Sequence, residues 1–394
     1  MLDVNKLAKQ IPVISHHFRD NANISSQKLN RAQEIFKQAE KQQKELINKQ
    51  QLWQPKLIFN VGIPVESLNT RMPIIEAPYT HTVMATDGSQ IAPSHHEIAY
   101  CYLINIGRIM IHYGQSKHPL LDSLPEVFYK EEDLSISRQW GIKVEEWLGY
   151  IRATSEAKVL AELAQEWVKN EQKIIPSLAM VDGTLIYWFL ETLPTEAREK
   201  ILNPILESWN ILKELNIPII GYISASRNSD SLNFLRFLTC THPVPDCHTY
   251  CANLQKQPCQ IFEPIKDVGL WKNELSPGER SPLWLSKNRI LELYKGEKIY
   301  FCYVNVGSEI ARIEMPGWVA ENQQLLNQAL SLMLAQVNKG YGYPVALAEA
   351  HNLAVIRSSD RAYFFKLLEQ EMIKSGLRNV GISYKETRKR GSIA

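Results

Sequence analysis

Two aspartates stand in matching surroundings. Val83-Met84-Ala85-Thr86-Asp87-Gly88-Ser89-Gln90 and Leu178-Ala179-Met180-Val181-Asp182-Gly183-Thr184-Leu185 each run from apolar or β-branched residues to Asp-Gly and a hydroxyl residue. Such a run reads as a buried strand, and Asp-Gly reads as its end. A carboxylate there sits on a rigid element and faces the mouth of a sheet. Two of them meeting in space can hold a divalent ion. Either Asp taken alone reads equally as a hydrogen-bonding turn residue.

A third carboxylate is offered by the helical stretch between them. Stepping by three or four residues from Glu156 reaches Arg152, Val159, Leu160 and Leu163, whereas Glu162 shares a face with Lys158, Glu166 and Lys169. Glu156 therefore lies on or beside the buried stripe, where a carboxylate is costly unless paired or coordinated. Metal ligand and ion pair with Arg152 are both open readings.

The elements that must position these residues are a mixed sheet and its covering helices. Strands are predicted on either side of Asp87, with Ile98–Gly107 and Arg108–Tyr113 separated by a hairpin break at Gly107, then a connection over 114–140. A helix follows over 143–170, then the Asp182 strand, a helix over 201–215 and a strand over 217–223. Strands return at 299–306 and 310–315, and helices at 322–337 and 363–373. The order implies an α/β fold, a mixed sheet flanked by helices. The expected division is an N-terminal helical arm over 1–75, a core formed by 76–239 and 286–394, and a Cys-rich irregular insertion over 240–285. Leu29, Ala32, Ile35, Phe36 and Ala39 recur at helical spacing in the arm, which is expected to project from the body.

The chain has 394 residues, 45% of them hydrophobic, and a net charge of +2, so it builds a substantial core and carries no global basic field. A nucleic-acid surface must be a local patch. The basic run Lys385 to Arg390 is one such patch or a solvated tail. No run of 18 apolar residues and no signal-peptide core is present, so no membrane association and a cytoplasmic location are expected. Cys240, Cys247, Cys251 and Cys259 fall close together with His242 and His248, a density that suggests structural zinc or an iron–sulfur cluster. Their spacing lacks the close pair of common zinc knuckles, so free thiols in a surface insertion remain the alternative.

From about Ala85 to Arg361 the chain resembles the NurA family of DNA-repair nucleases, which have an RNase H-like core. The resemblance is carried in order by Asp87-Gly88-Ser89-Gln90, Arg152 to Glu156, Val181 to Leu185, and Gly278 to Ser281 downstream of Asp267. It continues through Ala311 to Pro316, Tyr343-Pro344 and Ala350-His351. It implies a manganese-dependent (or magnesium-dependent) deoxyribonuclease using two ions. The implied work is 5′-to-3′ exonuclease action, with single-strand endonuclease action, in DNA end resection and double-strand break repair. It also implies a homodimer and a HerA-type hexameric ATPase partner.

By the same resemblance Asp87, Glu156 and Asp182 match acidic metal ligands, and His351 matches a C-terminal histidine that binds metal or relays a proton. Asp360 stands near His351 in sequence as a further ligand. Arg227, Arg280 and Arg312 are candidate phosphate contacts, and Tyr343 a base-stacking aromatic. The family often carries Lys where this chain has Arg227, and Arg is no ready proton donor. Arg312 and Glu314 point the same way on a strand, so a structural pair is the alternative there. Two other classes compete. One is a non-catalytic DNA-binding regulatory subunit of a hexameric ATPase, against which the intact acidic set argues. The other is a sugar-kinase-like phosphotransferase, for which no glycine-rich phosphate loop is found.

Overall fold

The computed structural model describes residues 3–94, 97–170 and 175–376, so the basic run Lys385 to Arg390 lies outside the described residues. The chain divides into two compact units, Met1–Ile74 with Tyr222–Ala320, and Ile75–Gly221 with Glu321–Ala394.

The second unit holds the mixed sheet with helices against it that the sequence implies. Its strands are β1 (His81–Ile91), β2 (Tyr102–Tyr113), β3 (Leu120–Phe128), β4 (Ser177–Asp182) and the start of β5 (Ile219–Ile223). Their spatial order is β5-β4-β1-β2-β3. β1 pairs antiparallel with β2 and parallel with β4, and β2 pairs antiparallel with β3. The Met84 and Ala85 side chains of β1 and the Leu178, Ala179 and Met180 side chains of β4 are wholly buried. This is why those short runs are apolar on both faces.

Helix α1 (Val144–Asn170) packs on β1 and β2, and α2 (Thr195–Glu214) packs on α1. Helix α3 (Gln323–Lys339) lies on β4, and α4 (Val345–Ala354) lies on β1 and β2. A last helix, α5, spans Ser358–Lys374. Asn322 caps α3 by accepting from the N–H groups of Gln324 and Leu325.

Three expectations are corrected here. β1 does not stop at Asp87-Gly88 but runs on to Ile91, because β2 pairs with it through Ile91↔Leu103. Gly107 is no hairpin break: β2 passes straight through it. Part of the connection over 114–140 is the edge strand β3, held by Tyr102↔Phe128 through Met110↔Leu120.

In the first unit a long helix, Ile11–Trp53, kinks at Gln42. Its first turns do carry exposed apolar side chains, Ile11, Val13, Phe18 and Ile24 among them, but the stripe from Ala32 to Ala39 does not project into solvent. Ala32, Ile35, Phe36 and Ala39 are buried in one core with Leu235, Cys247, Phe262 and Trp271. Phe36 meets Trp271 edge-to-face at 5.4 Å, and burying such a ring stabilises by about 1.5–3 kcal/mol. The arm over 1–75 and the Cys-rich stretch over 240–285 thus belong to one compact unit. Their division from the rest falls at 74/75, 221/222 and 320/321, not at the boundaries read from composition. The apolar residues of the arm and of the Cys-rich stretch complete one core, a pairing that composition does not reveal.

Candidate active site

Parallel pairing runs from Thr82↔Ser177 to Thr86↔Val181, so Asp87 and Asp182 occupy the next rung side by side. Residues level with each other on neighbouring strands share a face. Asp87 also stands opposite Gly107 in β2. On that face lies α4. A Cβ on Gly107 would sit 2.5 Å from the backbone nitrogen of Ala354 and would collide with the carbonyl oxygen of Ala350. The missing side chain lets α4 lie directly on the sheet. His351 then reaches Asp87, with Nδ1 2.8 Å from Oδ2.

Gly88, the next residue, points to the other face, where α1 lies. A Cβ there would be 2.5 Å from Oε1 of Glu156 and 2.6 Å from Cγ of Arg152. The glycine after Asp87 therefore serves close helix approach rather than a turn. The Thr86 hydroxyl donates to the Glu156 carbonyl at 3.0 Å and fixes the helix at that height. Arg152 Nε lies 3.3 Å from Glu156 Oε1, so the ion-pair reading of Glu156 is correct as far as it goes. The two other carboxylates act on Glu156 as well. Burial, opposed by the Arg152 charge and then reinforced by Asp87 and Asp182, pushes its carboxyl up to about 8.

Asp182 ends its strand with part of its surface in solvent. Desolvation of the carboxyl raises its pKa, the Tyr343 hydroxyl that donates to it lowers it, Asp87 raises it and His351 lowers it. Tyr343 thus holds a carboxylate. Gly183 follows with φ +105°, a conformation open to glycine. Its carbonyl would lie 2.5 Å from a Cβ on Gly221, the residue at which the second unit's first segment ends.

The other predicted residues have other settings. The Asp360 carboxylate, at the third position of α5, accepts from the N–H of the N-cap residue Arg357 at 2.8 Å. Arg280 is buried in the first unit, where its two terminal nitrogens donate to both oxygens of Glu66 at 2.6 and 2.8 Å. That pairing leaves it no face for a phosphate. Arg312 is also wholly buried there, donating to Glu314 and Asp230 at 2.9 Å, so the structural reading of the pair holds. Arg227 is exposed. Cys247, Cys251 and Cys259 are buried rather than displayed on a surface insertion, and Cys240 is partly buried. Nε and Nη2 of the buried Arg236 donate to Cys259 Sγ at 3.3 and 3.2 Å.

Among the described residues no group of three or more His, Cys, Asp or Glu side chains already stands as a metal cluster. The chemistry of the second unit's acidic set still fits a divalent ion. Three carboxylates and one imidazole form an oxygen-rich donor set with one nitrogen, suited to manganese or magnesium. Burial, with repulsion from the neighbouring carboxylates added to it, raises Glu156 and Asp182, and a bound cation relieves both effects. The cysteines also act on one another: burial, then Cys251 and Cys259, raises the Cys247 thiol, and burial, then Cys259 and Cys240, raises that of Cys251.

No helix of the described residues is long and apolar enough to cross a membrane. A comparison with curated proteins finds no match. Among solved structures, the NurA nuclease from Sulfolobus solfataricus has the same fold. It superposes with a TM-score of 0.54 at 12% identity, covering 95% of this chain and 98% of that one. The NurA domain family model matches residues 81–356, a span that holds Asp87, Gly88, Glu156, Asp182, Tyr343 and His351. On that match, the chain belongs to the NurA domain family.

Proposed function

We propose that this chain is a divalent-metal-dependent nuclease that hydrolyses DNA phosphodiester bonds. The observation that carries the reading is the meeting of Asp87, Asp182, Glu156 and His351 around one rung of a sheet, inside the matched family span. The solved relative is named a nuclease.

Asp87, Glu156, Asp182 and His351 would hold the ions, Asp87 centrally because it meets His351 directly and its charge also reaches Glu156. Two bound divalent ions supply an activated water and neutralise the charge that develops on the phosphate. The chain's own groups prepare that place. Tyr343 donates to the Asp182 carboxylate, and Arg152 pairs with Glu156. Asp87 holds the imidazole of His351 in one orientation through Nδ1, which leaves Nε2 to face the substrate or an ion. Exposed Arg227 is a candidate phosphate contact. The imidazole tilts the preference toward manganese. Work on 5′ ends in DNA end resection, homodimer assembly and a HerA-type ATPase partner complete the proposal.

Cleavage of 5′-labelled and 3′-labelled single- and double-stranded DNA, with manganese, magnesium or chelator, tests it. The wild type is expected to cut only with metal, and Asp87→Ala to bind DNA without cutting. Mononucleotide release from the 5′ end would set the polarity. If the wild type binds DNA but never cuts, the nuclease reading falls and a regulatory DNA-binding subunit takes its place.

A further inference from the structure

The turn between α3 and α4 is Gly340-Tyr341-Gly342-Tyr343. It is tightly closed. Gly340 and Gly342 donate to the carbonyls of Gln336 and Val337, each at 3.0 Å, and a Cβ on Gly340 would collide with the Tyr343 carbonyl oxygen. At the centre Tyr341 has φ +54°, in the left-handed region that disfavours any residue with a Cβ. Its ring is 99% exposed, the most exposed large hydrophobic side chain among the described residues. Glycine would make this turn with less strain, and among the described residues the ring covers nothing. Its use lies outside the chain.

Its neighbour shows where. Tyr343 donates to Asp182, and two residues of backbone span at most about 7 Å. The turn that displays Tyr341 is thus anchored on the acidic site. We propose that Tyr341 is a base-stacking platform at the edge of that site, taking the face of a nucleobase in a single-stranded DNA end. This inference rests on the nuclease reading. A flat aromatic face accepts any base, which suits a nuclease without sequence preference. Strain held at a functional turn is the expected cost of presenting a ring outward.

The test uses the full chain in chelator, so that nothing is cut, with a single-stranded oligonucleotide carrying 2-aminopurine near its 5′ end. Wild type is expected to bind and quench the probe. Tyr341→Ala should lose the quench and bind about 5- to 150-fold more weakly, as loss of one stacked base predicts, and Tyr341→Phe should behave as wild type. With manganese, cleavage at low substrate should fall by the same factor in Tyr341→Ala. Tyr341→Gly should unfold at no lower temperature than wild type, since the turn suits glycine. A wild type that cuts DNA while Tyr341→Ala binds and quenches equally well overturns this proposal alone. So does a Tyr341→Gly protein that unfolds early, because the ring would then be structural. A wild type that neither binds nor cuts overturns both the platform and the nuclease reading.

Discussion

Gly107 stands directly across the sheet from Asp87, and the backbone of α4 occupies the space its side chain would need. The approach of His351 to Asp87 depends on a residue that carries no functional group. Gly107→Ala is expected to push α4 off the sheet, with an overpacking cost of about 1–3 kcal/mol. Metal-dependent cleavage should fall more steeply than stability, because the imidazole leaves Asp87. Thermal unfolding and cleavage rates on the same preparation check both. A variant that keeps full activity would mean that the α4 contact does not position His351.

Replacing His351 with Gln keeps a polar side chain but loses the imidazole. Cleavage at fixed manganese should drop by at least about 10- to 100-fold, the usual effect of losing even an outer-shell partner and so a lower bound for a ligand. DNA binding in chelator should not change, which a gel-shift titration measures.

The pH dependence follows from Glu156. Its folded carboxyl titrates at about 8 against an ordinary 4.5. Between those values the folded state holds a proton that the unfolded state has released. Its contribution to the stability of the metal-free protein therefore falls as pH rises from 4.5 to about 8. A bound cation needs the ionised form, so metal binding releases this proton. Below pH 8, apparent manganese affinity should climb by up to about tenfold per pH unit, then level off. Calorimetric titrations between pH 6.5 and 9 in chelator-cleared buffer would show the slope; a flat profile would contradict it.

Asp360 is the opposite case. As the N3 partner in the capping box of α5, its replacement by Ala should cost about 0.5–1.5 kcal/mol of stability and leave cleavage and metal affinity intact. A large loss of activity with unchanged unfolding temperature would restore Asp360 to the metal site.

In the first unit, Arg312 is enclosed by Asp230, Glu314 and the Tyr303 hydroxyl, with its guanidinium 3.7 Å from the centre of the Phe301 ring. Arg312→Ala should destabilise by about 3–5 kcal/mol, because it strands two buried carboxylates. Thermal melts would read this as lost stability whether or not DNA is present, which separates it from a phosphate contact.

Much of this was legible in the chain itself. The helical stripe through Arg152, Glu156, Leu160 and Leu163 located both the carboxylate and its ion-pair partner, since a 3.6-residue period is a local property. The strand alternation of Arg312 and Glu314 found their pairing for the same reason. Asp87-Gly88 misled as a strand end because a glycine that breaks a strand and one that admits a helix look alike; only the partner strand and α1 distinguish them. His351 had no local pattern, and the family resemblance alone drew it out. Arg280 read as a phosphate contact because Glu66, its partner, lies far away along the chain. The arm's apolar stripe was visible, but nothing local named the tryptophan it covers.

The order of the second unit's segments bears on synthesis. Asp87, Glu156 and Asp182 emerge from the ribosome well before α4, and residues 222–320, which belong to the first unit, are made in between. A nascent chain halted anywhere short of His351 would carry the carboxylates without the helix that seats against Gly107. If the proposed activity is right, the enzyme stays harmless to the genome until its translation has passed that helix.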